Sequence, residues 1–376
     1  MPLFLSILLG IVLLDVILIL CLTLGLQRLS TNSFRSTVPQ IPVTLIVPFR
    51  NEREHLASLI LDLRSQSYPV NLLEVIFVDD HSEDGSPELL RGLIGDLPRF
   101  RAMELKKGET GKKRALALGV AHASSEWIIQ TDADCRMGPH FIEAHLSCKQ
   151  ETRADLVAGM VSTMEVGPGW LEALERLDLL SLTGVAAGSF YWGMPLMCSG
   201  ANLAFSRALY EDTRRFEPAR GIASGDDMFL MIGARKLGRK LVYLPSKEAL
   251  IKTYPATSLG SMIRQRIRWA SKTPFYGQGD IQVVALLTVL AHLSVLAMPW
   301  ILLQDPQRWP WLVAAFIAKS GADFVLLFII AGYAKQRRSL RVFLPILLVY
   351  YPTQLLIWLG SLGRKVRWKG RQLQGV

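Results

Sequence analysis

Cysteine is scarce in this chain and poorly spaced for work. Its four copies, at 21, 135, 148 and 198 of 376 residues, form no CxxC pair and no Cys/His grouping of metal-ligand spacing. That excludes a disulfide framework and a structural zinc site, and it suits a reducing compartment. No GxGxxG follows the first strand-like run, so the dinucleotide fingerprint of a dehydrogenase is missing. There is also no internal repeat, low-complexity tract or long linker, which removes solenoids and strings of small modules. Uncharged stretches, by contrast, are long.

Residues 3–26, 281–303, 311–333 and 342–362 are nearly free of charge, and half the chain is apolar, with a mean hydropathy of +0.28. A bilayer core of ~30 Å takes about 20 apolar residues as a helix, and the first three runs meet that length. No Lys or Arg precedes the first run and no small-residue cleavage signal follows it, so it is expected to stay as an anchor. The fourth run contains Pro345 and Pro352 and is expected to be broken or re-entrant, bringing the tail back to the cytoplasm. Lys319 and Asp323, four apart in the third run, are expected to pair on one helical face, a structural ion pair being favoured over a transport role.

The net charge of +10 gathers at membrane boundaries, in "RQRIRWASK", "KQRRSLR" and "RKVRWKGRQ". Basic excess of this kind marks the cytoplasmic side, and its juxtamembrane placement argues against nucleic acid as the partner. The expected organisation is a transmembrane anchor over 1–27 and a cytoplasmic domain over 28–280 ending in an amphipathic interface helix. A membrane region over 281–376 follows, with two spans plus the broken segment. This describes a multi-pass cell-membrane protein whose main domain faces the cytoplasm, with the lipid bilayer as a partner and no protein partner evident.

Within that domain "PVTLIVPF" and "LEVIFVDD" are short, branched, apolar runs that suit strands buried on both faces. Between them Leu56, Leu59, Ile60 and Leu63 fall at helical spacing, and "GKKRALALGVAHASS" reads as a helix before a third strand, "EWIIQTDAD". The β-α-β-α-β alternation predicts an α/β fold, a Rossmann-like, mostly parallel sheet with helices on both faces. Ligands of such sheets bind beyond the carboxyl ends of the strands, and every one of these strands ends in chemistry. Asp132 and Asp134, flanking Ala133, can grip a divalent metal such as Mg2+ or Mn2+ that also binds phosphate oxygens. Gln265, Arg268 and Trp269 of "QRIRW" share one helical face, where Arg268 can fork onto a diphosphate and Trp269 can offer its ring to an acceptor. Arg266 would point elsewhere, toward lipid headgroups.

In order along the chain, "VPFRNE", "VDDHSEDGS", "GKKRAL", "TDADC", "GDD" and "QRIRW" resemble the motifs of membrane-bound members of glycosyltransferase family 2, over roughly residues 42–269. The resemblance implies a GT-A fold, a nucleotide-diphosphate sugar donor, uridine-based by expectation, and inversion at the anomeric carbon. It assigns Pro48, Glu52, Asp80 and Asp132 to the nucleotide sugar, and Asp227 as the general base. Lys112 would serve the phosphates or ribose, with Lys113 as an open rival. "CSGANLAFSR" resembles an acceptor-side loop, in which Gly200 and Asn202 would border the sugar alongside Gln265 and Trp269. A hexosyltransferase adding one sugar to a membrane lipid or isoprenoid-type acceptor is the expected function. A processive polysaccharide synthase is the alternative, and an inactive sugar-nucleotide-binding scaffold is the reading from another class.

Overall fold

The computed structural model describes residues 2–29, 38–167, 169–216 and 225–363, and the backbone of 366–368 and 371–373. By contacts the chain forms two compact units. One comprises Met1–Leu29, Glu165–Leu196 and Pro255–Val366, the other Ser30–Met164, Met197–Tyr254 and Arg367–Val376. The elements begin with α1 (Pro2–Arg28), β1 (Val43–Phe49), α2 (Arg53–Arg64), β2 (Leu73–Asp79), α3 (Ser86–Ile94), β3 (Phe100–Glu104), α4 (Lys112–His122) and β4 (Trp127–Gln130). There follow β5 (Cys135–Arg136), α5 (Phe141–Thr152), β6 (Leu156–Gly159), β7 (Val161–Thr163), α6 (Trp170–Tyr191), β8 (Leu203–Ser206) and α7 (Arg207–Thr213). The last are α8 (Asp226–Lys236), β9 (Leu241–Leu244), β10 (Ile251–Thr253), α9 (Leu259–Ala270), α10 (Gly279–Gln304), α11 (Trp309–Tyr333) and α12 (Phe343–Ser361).

The sheet unit is built on seven strands in the order β3-β2-β1-β4-β8-β6-β9, with a small sheet β5-β10-β7 beside it. β1 runs parallel to β2 and β4, β2 to β3, and β6 to β9, while β8 is antiparallel to both neighbours. Every residue of β1 and β2 is buried, as their unbroken apolar runs require of strands covered on both faces. β3, which the apolar pattern does not announce, buries Phe100 and exposes most of the rest, as an edge strand does.

The register shows where the sheet opens. β1 pairs with β2 as far as Phe49↔Asp79 but with β4 only to Ile46↔Gln130. Thr131 N–H donates to the Ile46 carbonyl at 3.2 Å, so Ile46 faces β4, and Pro48, two residues on, faces the same side past that strand's last pair. A proline without an N–H is harmless there.

The helical unit contains four helices long and apolar enough to cross a membrane, over Leu3–Arg28, Gly279–Gln304, Pro306–Tyr333 and Arg337–Ser361. α1 and α6 touch backbone to backbone, since a Cβ on Gly188 would fall 2.1 Å from the Leu22 carbonyl oxygen. Lys319 does reach Asp323 at 2.8 Å, but it also pairs with buried Asp15 of α1 at 2.7 Å, making a triad across two helices. The break expected at the prolines is absent, because α12 is one continuous helix. Pro345 is its third residue, where the N–H has no helical partner in any case, and Pro352 removes a single interior bond.

Candidate active site

The carboxyl ends of β1, β2 and β4 carry their polar groups to one rim. After β1, Arg50 is buried and its Nη1 donates to the carbonyls of Asp80, at 2.7 Å, and His81, at 3.0 Å. Asn51 adopts φ 51° and ties the β1 loop to the β2 loop, donating its N–H to Ser82 Oγ and accepting from Glu83 N–H, each at 2.9 Å. Glu52 is the N-cap residue of α2, and its N–H donates to Ser86 Oγ at 2.9 Å. Asp79 accepts from Ser82 N–H and hydroxyl, so it caps the turn, and burial raises its carboxyl above the ordinary range against those bonds. Asp80 is buried and accepts from Gly111 N–H at 3.0 Å, which fixes the entry to α4.

The first residue of that helix is Lys112, and its ammonium pairs with Asp132 beyond β4. Burial works against the charge on Lys112, but the carboxylates of Asp132, Asp226 and Asp227 outweigh it and hold the ammonium above its ordinary range. Lys113 lies 5.9 Å over the Phe229 ring, while Lys112 is the one of the two seen paired with Asp132. Asp132 and Asp134 are part-exposed while Thr131 and Ala133 are buried. Among the described residues no third His, Cys, Asp or Glu joins them to make a closed metal site. A magnesium-type ion takes one or two carboxylates and lets substrate phosphates and water complete its shell, so Asp132 and Asp134 are of the donor type such an ion uses.

Asp227, in the first turn of α8, accepts from Gly200 N–H at 2.9 Å and from Met228 N–H at 2.8 Å, which aims its carboxylate. Asp226 beside it is buried and accepts from Gln130 Nε2 at 2.8 Å. A Cβ on Gly200 would lie 2.7 Å from Gln130 Nε2 and 3.3 Å from Lys112 Nζ. Glycine at 200 therefore lets the β8 loop close on the ends of β4, α4 and α8 together. Lys112, Asp132, Gly200 and Asp227, drawn from four separate segments, form one constellation.

The glycosyl transferase family 2 model matches residues 44–213, from β1 through α7. The chain is 26% identical over 302 residues to the glycosyltransferase AglE of Haloferax volcanii, covering 79% of this chain and 92% of that one. It is 28% identical over 248 residues to an N-acetylglucosaminyltransferase of Mesorhizobium japonicum, spanning 56% of that relative's length. A mannosyltransferase of Pyrobaculum calidifontis, solved with GDP-mannose and Mn2+, superposes over 94% of this chain and 96% of its own with a TM-score of 0.54 at 20% identity. The fold is accordingly GT-A, with four candidate membrane helices flanking that domain along the chain.

Two expected roles do not survive. Asn202 is fully buried and wired, its Nδ2 donating to the Met160 and Ala249 carbonyls at 2.7 Å each and its Oδ1 accepting from His145 Nε2 at 2.8 Å. It locks β8 to β6 and cannot touch an acceptor. Arg266 does not face headgroups either. It is buried in the helical unit, donating to Asp178 at 2.6 Å and standing 3.8 Å from Glu175, with its guanidinium 4.2 Å over the Trp269 ring. Asp178 also accepts from Gln354 of α12 at 2.9 Å, so the second residue of "QRIRW" ties α9 to α6 and α12. Gln265 Oε1 accepts from Arg266 at 2.5 Å, and Gln265, Arg268 and Trp269 remain part-exposed.

Sequence reasoning gave no catalytic or binding role to Arg50, Gln130 or Asp226. The first sits in plain view inside "VPFRNE", but a buried arginine whose Nη1 serves the carbonyls of the neighbouring loop has no sequence signature. The other two needed the contact between β4 and α8, which lie 96 residues apart at Gln130 and Asp226.

Proposed function

We propose that this chain is an inverting glycosyltransferase that moves one sugar from a nucleotide-diphosphate donor to a hydroxyl of a membrane lipid or isoprenoid-type acceptor. The observation that carries the reading is the convergence of Lys112, Asp132 and Asp227 at the rim of a family-2 domain in a chain with four membrane-length helices. Asp227 acts as base, taking the acceptor proton as its oxygen attacks the anomeric carbon opposite the departing diphosphate. Lys112 places a positive charge toward the phosphates. Pro48, Glu52 and Asp80 frame the nucleotide. Arg268 supplies a fork for the diphosphate, and Gln265, Trp269 and Gly200 border the acceptor. Mg2+ or Mn2+ held by Asp132 and Asp134 would neutralise charge on the leaving group.

Residues 28–280 serve as the catalytic domain on the cytoplasmic side, between membrane segments over 1–27 and 281–376. Ser339, ahead of α12, accepts from Arg176, and Gln354, in the middle of α12, donates to Asp178, so α12 is tied to α6.

The names of the relatives make UDP-N-acetylglucosamine the first donor to try and GDP-mannose the second. Detergent-solubilised protein, supplied with each donor, added metal and a lipid extract, should yield a singly glycosylated lipid. Release of long polymer would replace this reading with the processive synthase. Donor binding by the native protein with no transfer to any lipid would favour the inactive scaffold.

A further inference from the structure

The turn between α11 and α12 holds a feature that sugar transfer does not use. A cavity of about 530 Å³ opens between Glu165, Gly332, Lys335, Arg337 and Arg338. The three cations are exposed, and among the described residues none has a carboxylate within ion-pair distance. They begin two residues past the candidate span Pro306–Tyr333, which places them at the edge of the hydrocarbon.

The turn is built rather than loose. Lys335 takes φ 56° as Gln336 N–H donates back to the Ala331 carbonyl at 2.7 Å, which ends α11 in a left-handed cap. Gln336 and Ser339 are buried, and Ser339 Oγ accepts from buried Arg176 at 3.2 Å. Arg337 is stacked on the Phe328 ring at 4.3 Å, which holds its guanidinium in place. Side chains that only needed solvent would require neither the cavity nor the stacking.

We propose that this cavity binds the phosphodiester headgroup of an anionic membrane lipid, with Lys335, Arg337 and Arg338 on the phosphate oxygens and Glu165 accepting from a headgroup hydroxyl. A fork of guanidinium N–H groups matches phosphate geometry. The site stands independently of the transferase reading.

Native mass spectrometry of the detergent-solubilised full chain with added phosphatidylglycerol or phosphatidylcholine tests it. The wild type should retain phosphatidylglycerol over phosphatidylcholine, and the Lys335→Gln, Arg337→Gln, Arg338→Gln variant should lose that bound fraction at least fivefold. Lys335→Gln with Arg338→Gln, which leaves the stacked Arg337, should fall between the two. A charge-matched control, Lys106→Gln, Lys107→Gln and Arg341→Gln, removes three exposed cations outside the cavity and should bind as the wild type does. Equal loss in the control would overturn a discrete site, as would undiminished binding by the triple variant. Displacement by equimolar glycerophosphate would overturn the lipid in favour of a soluble phosphoester.

Discussion

At the sheet rim, Lys112 and Asp132 pair while their side chains keep 22% and 33% of their exposure; in the helical unit, Arg266 and Asp178 pair with 5% and 4%. The two pairs look alike as opposite charges in contact, yet they do different work. The rim pair keeps part of its contact with water, so its charges stay within reach of a ligand and its attraction is partly screened. The interior pair has given up its hydration and can stand only because each member satisfies the other, with Gln354 and Glu175 completing the set. Exposure, more than ion pairing itself, separates chemistry from scaffolding here.

The strongest test at the rim is Asp227→Asn, which keeps the shape and removes the proposed base. Transfer should fall by roughly 10²–10⁴-fold, while donor affinity measured by calorimetry stays near the wild-type value. Retained turnover would put the base elsewhere and dissolve the contrast.

On the interior side, Arg266→Met leaves Asp178 buried without its cation and should destabilise the chain by about 3–5 kcal/mol in a denaturation series. Adding Asp178→Asn should restore much of that loss. An Arg266→Met protein of unchanged stability would mean that the interior pair resembles the rim pair after all.

His145 offers a third case, a titratable group kept neutral. Burial pushes it down from 6.5 to about 4, against the bond to Asn202. Its folded value lies below its unfolded one, so the unfolded chain takes the proton first. Stability is therefore full above about pH 6.5 and declines as pH falls toward 4, by up to roughly 3 kcal/mol. The His145→Gln variant should flatten this part of the stability profile, and a profile that keeps its slope would point to another group.

The smallest expected effect is on stability in Lys112→Met, under about 1 kcal/mol for a part-exposed pair, even as sugar transfer collapses. A loss of several kcal/mol would class Lys112 with Arg266.

Much of this arrangement can be read along the chain. Buried strands announce themselves as "PVTLIVPF" and "LEVIFVDD", and the acids that end them were legible as neighbours because parallel strands deliver their carboxyl ends to one rim. Edge strand β3 was not, since one buried side in a five-residue segment leaves no apolar run. Asn202 was misread for a similar reason. Its neighbourhood in "CSGANLAFSR" carries the pattern of a loop, and nothing local reveals that Met160, Ala249 and His145 close around it.

Hydrophobic periodicity and strand-end composition are local properties, and they alone determined the membrane-length helices, the parallel core and the positions of the rim acids. Tertiary structure decided which of two adjacent lysines meets Asp132, which arginine of "QRIRW" is buried, and that Asp15 completes the Lys319 pair from 304 positions away. The physical reason is that a side chain's charge is written in its identity, whereas the water it keeps or loses depends on neighbours brought in from distant parts of the chain.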